Sequence, residues 1–282
     1  CATLDLPGIM VTASHNPPQY CGFKMVREMP YLLSGDEGIQ DLRRLIETDG
    51  FRLAQGTGRL ETRDVSAGFV DKVVGMVDGE RLRGLTVVAD TGNGMVGPIL
   101  QRVYERLPIE FVGLYLDPDG TLPNHGLDPM QEENRAELQR RVVADGADAG
   151  FAFDGDGDRF FAIDDRGHFV PGDFLTALMA GYLIEGEPGA TMIYDVRCSW
   201  AVRDVVEAAG GTALQERVGH SFLKPRLLSE GGVFAGELSG HYYFRDFYGA
   251  DSGLVPSLIL MQMMAERGQT MSQMLSPLES RY

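Results

Sequence analysis

Ala149-Gly150-Phe151-Ala152-Phe153, then Asp154-Gly155-Asp156-Gly157-Asp158-Arg159, then Phe160-Phe161-Ala162-Ile163 is the run from which the fold is read. Five apolar residues without interruption have the length and composition of a buried strand. Three aspartates separated only by glycines cannot continue that strand, and the extended apolar pattern resumes directly after Arg159. The run therefore predicts strand, acidic loop, strand.

Working outward, the same rhythm recurs on both sides. Upstream, 85–89 reads as a strand ending in the loop Asp90-Thr91-Gly92-Asn93-Gly94, 95–107 has helical spacing, 109–114 is a strand and 132–143 is an amphipathic helix. Downstream, 174–184 reads as a helix, 191–194 as a strand with 195–199 as its loop, and a further helix runs through Val206. A short strand near 212–214, the loop Val218-Gly219-His220-Ser221, a helix over 222–229 and a strand over 233–235 lead into Gly236-Glu237-Leu238-Ser239-Gly240-His241. The class is α/β, built from repeated units with mixed sheets, and in such sheets ligands bind at the loops that follow strands. Breaks near Asp64 and His168 predict three pieces, 1–64, 65–168 and 169–282, of which the first is the shortest. The run 9–11 reads as an interior strand, and the chain opens at Cys1 without an initiator Met, so sequence is expected to be missing before it.

Composition narrows the partners. With 25 basic against 41 acidic residues the net charge is −16, which opposes binding to nucleic acid and to anionic membrane. An anionic small molecule would need a local basic pocket. Lys24, Arg159, Arg197, His220, Lys224 and Arg245 lie at or near the strand-end loops and supply its charges. Cys1, Cys21 and Cys198 have neither the number nor the spacing of a disulfide framework or zinc site, so a reduced, cytoplasmic setting is expected. The most apolar stretch, 254–264, contains Pro256 and Gln262 and falls short of a membrane span, so it reads as a core helix.

Three loops carry candidate chemistry. Asp154, Asp156 and Asp158 can converge on one hard cation, because glycine lets the backbone fold tightly between them. An EF-hand would need Gly at the sixth position and Glu at the twelfth, where this chain has Arg159 and Asp165. A bare acidic hairpin would leave three neighbouring negative charges uncompensated, whereas an all-oxygen set with room for a phosphate suits Mg²⁺. The second loop, Thr12-Ala13-Ser14-His15-Asn16-Pro17-Pro18, places Ser14 at a strand end on a segment stiffened by two prolines. Ser14 reads either as a nucleophilic or phosphorylated serine or, more commonly for such a pattern taken alone, as part of a turn. Third, Glu237, Ser239 and His241 could hydrogen-bond adjacent sugar hydroxyls, although a plain turn is as common. Asp90–Gly94 lacks the ending of a nucleotide P-loop and reads as a structural turn.

Taken together, and in this order and spacing, the 12–17, 154–159 and 236–241 loops resemble the α-D-phosphohexomutase superfamily, in its phosphomannomutase/phosphoglucomutase branch. Gly22-Phe23-Lys24 and Asp90–Gly94 fit the same pattern. Arg197 stands where that branch often has Lys, Cys21 where it usually has Asn, and Leu238 where the glucosamine branch tends to have Gln. The resemblance implies three of four domains: the latter part of domain 1, then domains 2 and 3, without the N-terminal segment and the C-terminal phosphate-binding domain. It also implies a reaction. Phosphorylated Ser14 would donate to a hexose monophosphate, a hexose 1,6-bisphosphate would form and turn over, and the other phosphoryl group would return to Ser14. By the same resemblance Ser14, Asp154, Asp156 and Asp158 hold Mg²⁺, Arg159 and Lys24 offset charge, and either Lys24 or His15 takes the proton. Arg197, His220, Glu237, Ser239 and His241 would bind substrate, with Glu237 and Ser239 on O3 and O4, which glucose and mannose share. Two other readings are a metal-dependent phosphatase or phosphotransferase without a phosphoserine, and a non-catalytic sugar-phosphate-binding fragment.

Overall fold

Three separate sheets organise the chain. They are seen in a computed structural model that describes residues 4–28, 31–35, 38–52 and 55–282; Cys1 lies outside these residues. The first sheet has the order β1 (Gly8–Val11), β2 (Phe23–Glu28), β3 (Tyr31–Leu32), all antiparallel, followed by helix α1 (Ile39–Glu47). Here the reading of an interior strand is corrected. Among the described residues β1 pairs only with β2 and lies at the sheet edge, with Ile9 68% and Val11 65% exposed. An apolar run fixes extended backbone, but burial needs a covering layer, and α1 buries none of its residues against it.

The next elements are α2 (Ser66–Val74), β4 (Thr86–Asp90), α3 (Gly97–Tyr104), β5 (Glu110–Leu114), α4 (Glu132–Asp145), β6 (Ala149–Phe153), β7 (Phe160–Ile163) and β8 (Phe169–Val170). Their sheet runs β5-β4-β6-β7-β8, with β4 parallel to β5 and β6, and β6, β7 and β8 antiparallel in turn. Every residue of β6 and β7 is buried, which explains their continuous apolar composition.

The last elements are α5 (Gly172–Gly186), β9 (Thr191–Asp195), α6 (Trp200–Ala208), β10 (Thr212–Glu216), α7 (His220–Ser229), β11 (Phe234–Gly236), β12 (Tyr242–Phe244), β13 (Ala250–Asp251), α8 (Leu254–Arg267) and α9 (Met271–Glu279). The third sheet, β10-β9-β11-β12-β13, repeats the second strand for strand, including the switch from parallel to antiparallel after its third strand in chain order. The acidic loop between β6 and β7 and the 237–241 loop between β11 and β12 are thus topological equivalents. α3 starts later than its apolar spacing predicts, with Pro98 in its first turn and the chain before it held in a turn, and it also ends earlier, at Tyr104. α7 begins at His220 itself, so His220 opens a helix and does not sit within a loop.

The second and third sheets share one core. Phe151, Phe153 and Phe160 belong to the same buried cluster as Tyr194, Tyr242, Leu258 and Met261. The Phe160 and Tyr242 rings meet edge to face at 6.3 Å, and Tyr104 Oη donates to Ser257 Oγ at 2.9 Å. Burial of side chains of this size stabilises by about 1.5–3 kcal/mol each. Backbone pairing reinforces the join: Arg159 and His241 form an antiparallel bridge, Phe160 N donates to Gly240 O at 2.9 Å, and Gly253 N donates to Gly157 O at 3.1 Å. No helix among the described residues is long and apolar enough to cross a membrane. Cys21 is an exposed free thiol and Cys198 a buried one.

Candidate active site

The site is assembled from loops that follow strands. The β6–β7 loop folds so that one carboxylate oxygen from each of Asp154, Asp156 and Asp158 lies within 4.8 Å of the others. Asp154 is fully buried and tied to its own loop: Arg159 Nε donates to its Oδ2 at 2.8 Å, and Arg159 N to its Oδ1 at 3.2 Å. Burial, then the charges of Asp158 and Asp156, push the Asp154 carboxyl up to about 6 against the opposing pull of Arg159. At Asp158 burial acts in the same direction but is overruled by His241 and Lys24, so its pKa is lowered. Asp156 Oδ1 is buried without a hydrogen-bond partner, and Asp158 Oδ1, also buried, faces His241 Nε2 at 3.5 Å without a hydrogen bond. Orphaned, convergent carboxylate oxygens fit a hard divalent cation.

The loop after β1 packs directly onto this acidic loop. Ser14 Oγ donates to Asp154 Oδ2 at 3.1 Å and lies 3.1 Å from His15 Nδ1. Ser14 has φ of +55°, a left-handed conformation that costs a non-glycine residue about 1–2 kcal/mol. Approach this close demands glycine opposite it: a Cβ on Gly155 would stand 2.3 Å from the Ser14 carbonyl oxygen. Lys24, on β2, donates to Asp156 Oδ2 at 2.7 Å and also to Asp158 Oδ2. Burial works against its charge, but the two carboxylates more than compensate and its pKa is raised. For His15, burial and then Arg159 lower the pKa.

The β11–β12 loop meets the acidic loop from the third sheet. His241 Nε2 is 3.5 Å from Asp158 Oδ1, and His241 Nδ1 is 3.1 Å from Ser239 Oγ. Burial opposes the imidazolium of His241, and Asp158, Asp251 and Glu237 outweigh it, so the pKa rises. Glu237 is 2% exposed; Tyr243 Oη donates to its Oε1, Gly219 N to its Oε2 at 3.3 Å, and Arg197 Nη2 lies 3.7 Å from Oε2. His220 follows Gly219, and its ring lies 6.3 Å from that of His241. Burial, then Lys224, pull His220 down to about 4. A cleft of about 610 Å³ is lined by Lys24, Asp156, Asp158, His220, Lys224 and Asp251.

Ser14, His15, Lys24, Asp154, Asp156, Asp158, Arg159, Glu237, Ser239, His241 and Arg197 are linked by these contacts, and His220 stands beside His241. Arg245 does not belong to this set, since its guanidinium pairs with Glu187 at 2.8 Å and Asp246 at 3.2 Å. Lys224 reaches the cleft but is neutralised by Asp251 at 2.7 Å. Thr12, Asp195 and Tyr243 went unread as individual contributors. Thr12 is linked to both loops by its hydroxyl, while Asp195 and Tyr243 hold the 237–241 loop from below. A carboxylate closing an apolar strand, as Asp195 closes β9, was the available signal for one of them.

Comparison with known proteins accords with this geometry. Family models described as phosphoglucomutase/phosphomannomutase, alpha/beta/alpha domains I, II and III match residues 2–52, 67–167 and 171–282 in that order. The chain belongs to the phosphohexomutase superfamily. A phosphomannomutase of Salmonella montevideo is 39% identical over 274 residues, covering 95% of this chain and 60% of that protein. A protein named phosphohexose mutases from Xanthomonas campestris is 36% identical over 267 residues, with the same shares. The crystal structure of a phosphoglucomutase/phosphomannomutase family protein from Burkholderia thailandensis superposes with a TM-score of 0.89 at 38% identity, covering 96% of this chain and 58% of that one. The chain thus spans about 60% of the length of the phosphohexomutases it matches.

Proposed function

We propose that this chain carries the phosphoserine, cation-binding and sugar-binding parts of an enzyme that interconverts hexose 1-phosphate and hexose 6-phosphate, with mannose, glucose or both as the sugar. One observation carries the reading: Ser14 Oγ donates to Asp154 Oδ2 at 3.1 Å, inside a contact network that continues through Asp158 and His241 to Ser239. A nucleophile beside a convergent carboxylate set and a hydroxyl-binding loop suits phosphoryl transfer, which needs placement and charge neutralisation above all.

In the proposed cycle, a free hydroxyl of the hexose monophosphate attacks the phosphorus of phosphorylated Ser14. The bond from phosphorus to Ser14 Oγ breaks, and hexose 1,6-bisphosphate results. After the bisphosphate turns over, Ser14 Oγ attacks its other phosphoryl group and releases the isomeric monophosphate. His15 Nδ1, 3.1 Å from Ser14 Oγ, is placed to relay the proton, from the attacking hexose hydroxyl to the departing Ser14 Oγ in the first transfer and from Ser14 Oγ to the departing hexose oxygen in the second. Lys24, held by two carboxylates, serves as a fixed positive charge beside the reacting oxygens, as does Arg159. Mg²⁺ held by Asp154, Asp156 and Asp158 together with the Ser14 phosphoryl group would neutralise the charge of the transferring group. Glu237 and Ser239 grip O3 and O4 of the sugar, and Arg197, His220 and His241 complete the substrate contacts. The functional pieces divide near residues 64 and 168, giving one loop to each.

The test is localisation of phosphate on the intact chain. After incubation with glucose 1,6-bisphosphate and Mg²⁺, peptide mass spectrometry should find one phosphoryl group on Ser14 and free hexose monophosphate in solution. Phosphate elsewhere, or none, overturns the reading.

A further inference from the structure

Asp195 is the last residue of β9 and is fully buried. A buried carboxylate costs several kcal/mol unless donors surround it. Its donors all come from two loops of the proposed sugar site. Oδ1 accepts from Arg197 N at 2.6 Å and Arg197 Nε at 3.2 Å, and Oδ2 accepts from Arg197 Nη2 at 2.8 Å and Leu238 N at 2.9 Å. One carboxylate thus orients the Arg197 guanidinium and fixes the backbone between Glu237 and Ser239.

The repeated sheet supplies an internal control. Asp90, the topological equivalent at the end of β4, is also buried and also accepts from the amide two residues on, Gly92 N at 2.9 Å. Its remaining capacity goes to His125 Nε2, 3.1 Å from each oxygen, and not to the β6–β7 loop. The Asp90 carboxylate is therefore satisfied without reaching the hairpin loop, which is joined to the segment after β4 by backbone alone, Met95 N donating to Gly155 O at 2.8 Å. The link from Asp195 to Leu238 is an addition peculiar to the third sheet, where the sugar-binding residues lie.

We infer that Asp195 is a positioning residue for substrate: it holds Arg197 and the 237–239 loop in the one arrangement that recognises the phosphosugar. This rests on the reading of Arg197, Glu237 and Ser239 given under Proposed function. The side chain of Arg197 is 40% exposed, so Asp195 grips one edge of it and leaves the rest accessible.

The experiment is D195N in the full 282-residue chain. Asn keeps the shape but turns one acceptor into a donor that faces an existing N–H. Binding of glucose 1-phosphate, measured by calorimetry, should weaken about 10- to 100-fold, the scale of a lost charge-assisted hydrogen bond. Loss of phosphate from phosphorylated Ser14 to water should change by less than about twofold, since no contact of Asp195 reaches that loop. In a cycle with R197M, the double variant should bind no worse than R197M by more than about threefold. Unchanged sugar binding in D195N, additive losses in the cycle, or an equal loss in Ser14 dephosphorylation overturns the inference. If the wild-type chain binds no hexose phosphate, the underlying reading fails and takes this one with it. Should D195N not fold, amide exchange on the wild type decides: Leu238 and Arg197 amides that exchange like free loop amides refute the clamp.

Discussion

Thr12 gives its hydroxyl proton to Asp156 Oδ2 at 2.7 Å and takes one from Ser14 N at 2.8 Å. A single hydroxyl therefore spans the serine loop and the acidic loop. It also helps to hold Ser14 at its positive φ, a conformation the chain would otherwise leave. Thr12→Val keeps the side-chain shape and removes both hydrogen bonds, leaving Ser14 N without its acceptor. The expected loss is about 1–3 kcal/mol, or about 10- to 100-fold in the rate of Ser14 phosphorylation by hexose bisphosphate. Thr12→Ser restores the hydroxyl and should recover the rate to within about threefold. A Val variant as fast as wild type would show that Thr12 carries no such load.

Gly155 tests the same junction from the other side. Any Cβ there would stand 2.3 Å from Ser14 O and 2.7 Å from Leu127 Cδ1, and the first of these neighbours is backbone that cannot step aside by a rotamer change. Gly155→Ala should push the serine loop off the acidic loop and slow Ser14 phosphorylation by at least about tenfold. Divalent-cation binding by calorimetry should suffer less, because the three carboxylates belong to a loop anchored elsewhere, by Arg159 and by Gly157 O. Equal losses in both measurements would contradict this division.

Much of the fold was legible because the second and third sheets bury their central strands on both faces. An all-apolar run such as Ala149-Gly150-Phe151-Ala152-Phe153 has one plausible fate, and β6 matches its bounds. The same rule failed at β1, whose Ile9 and Val11 are as apolar but lie exposed at a sheet edge. Local pattern reports backbone preference, while burial depends on a layer that the run itself does not encode. The acidic loop was legible because alternating Asp and Gly is hard to explain otherwise. Asp195 was not: one Asp at a strand end reads as a turn, and its role comes from Leu238, 43 positions later. His220 reads as part of the 218–221 loop, with the helix beginning at 222, yet it opens α7.

His220 makes stability depend on pH. Burial and Lys224 lower its pKa from an ordinary 6.5 to about 4 in the folded chain, so between those values the unfolded chain binds more protons. The contribution is therefore fully present above pH 6.5 and is lost as pH falls towards 4. At full extent it amounts to roughly 2–4 kcal/mol. Urea unfolding at several pH values should show a steeper decline below pH 6.5 for wild type than for His220→Gln, which cannot take the proton. Parallel curves for the two proteins would place the titration elsewhere.

The join between the second and third sheets can be measured at Tyr104. Its hydroxyl is fully buried and donates to Ser257 Oγ at 2.9 Å, while Ser257 passes its own proton to Leu254 O at 2.7 Å. Tyr104→Phe removes one donor and leaves Ser257 still donating, so the cost should be about 1 kcal/mol, lowering Tm by about 2–4 °C. Tyr104→Ala also opens a cavity beside Phe111, whose ring stands 5.1 Å from that of Tyr104, and should cost about 3–5 kcal/mol. Because buried side chains of both sheets form one cluster, each variant should shift a single transition reported alike by probes in either half. Two separated transitions, with only one moved by Tyr104→Ala, would mean that the shared core does not couple the sheets.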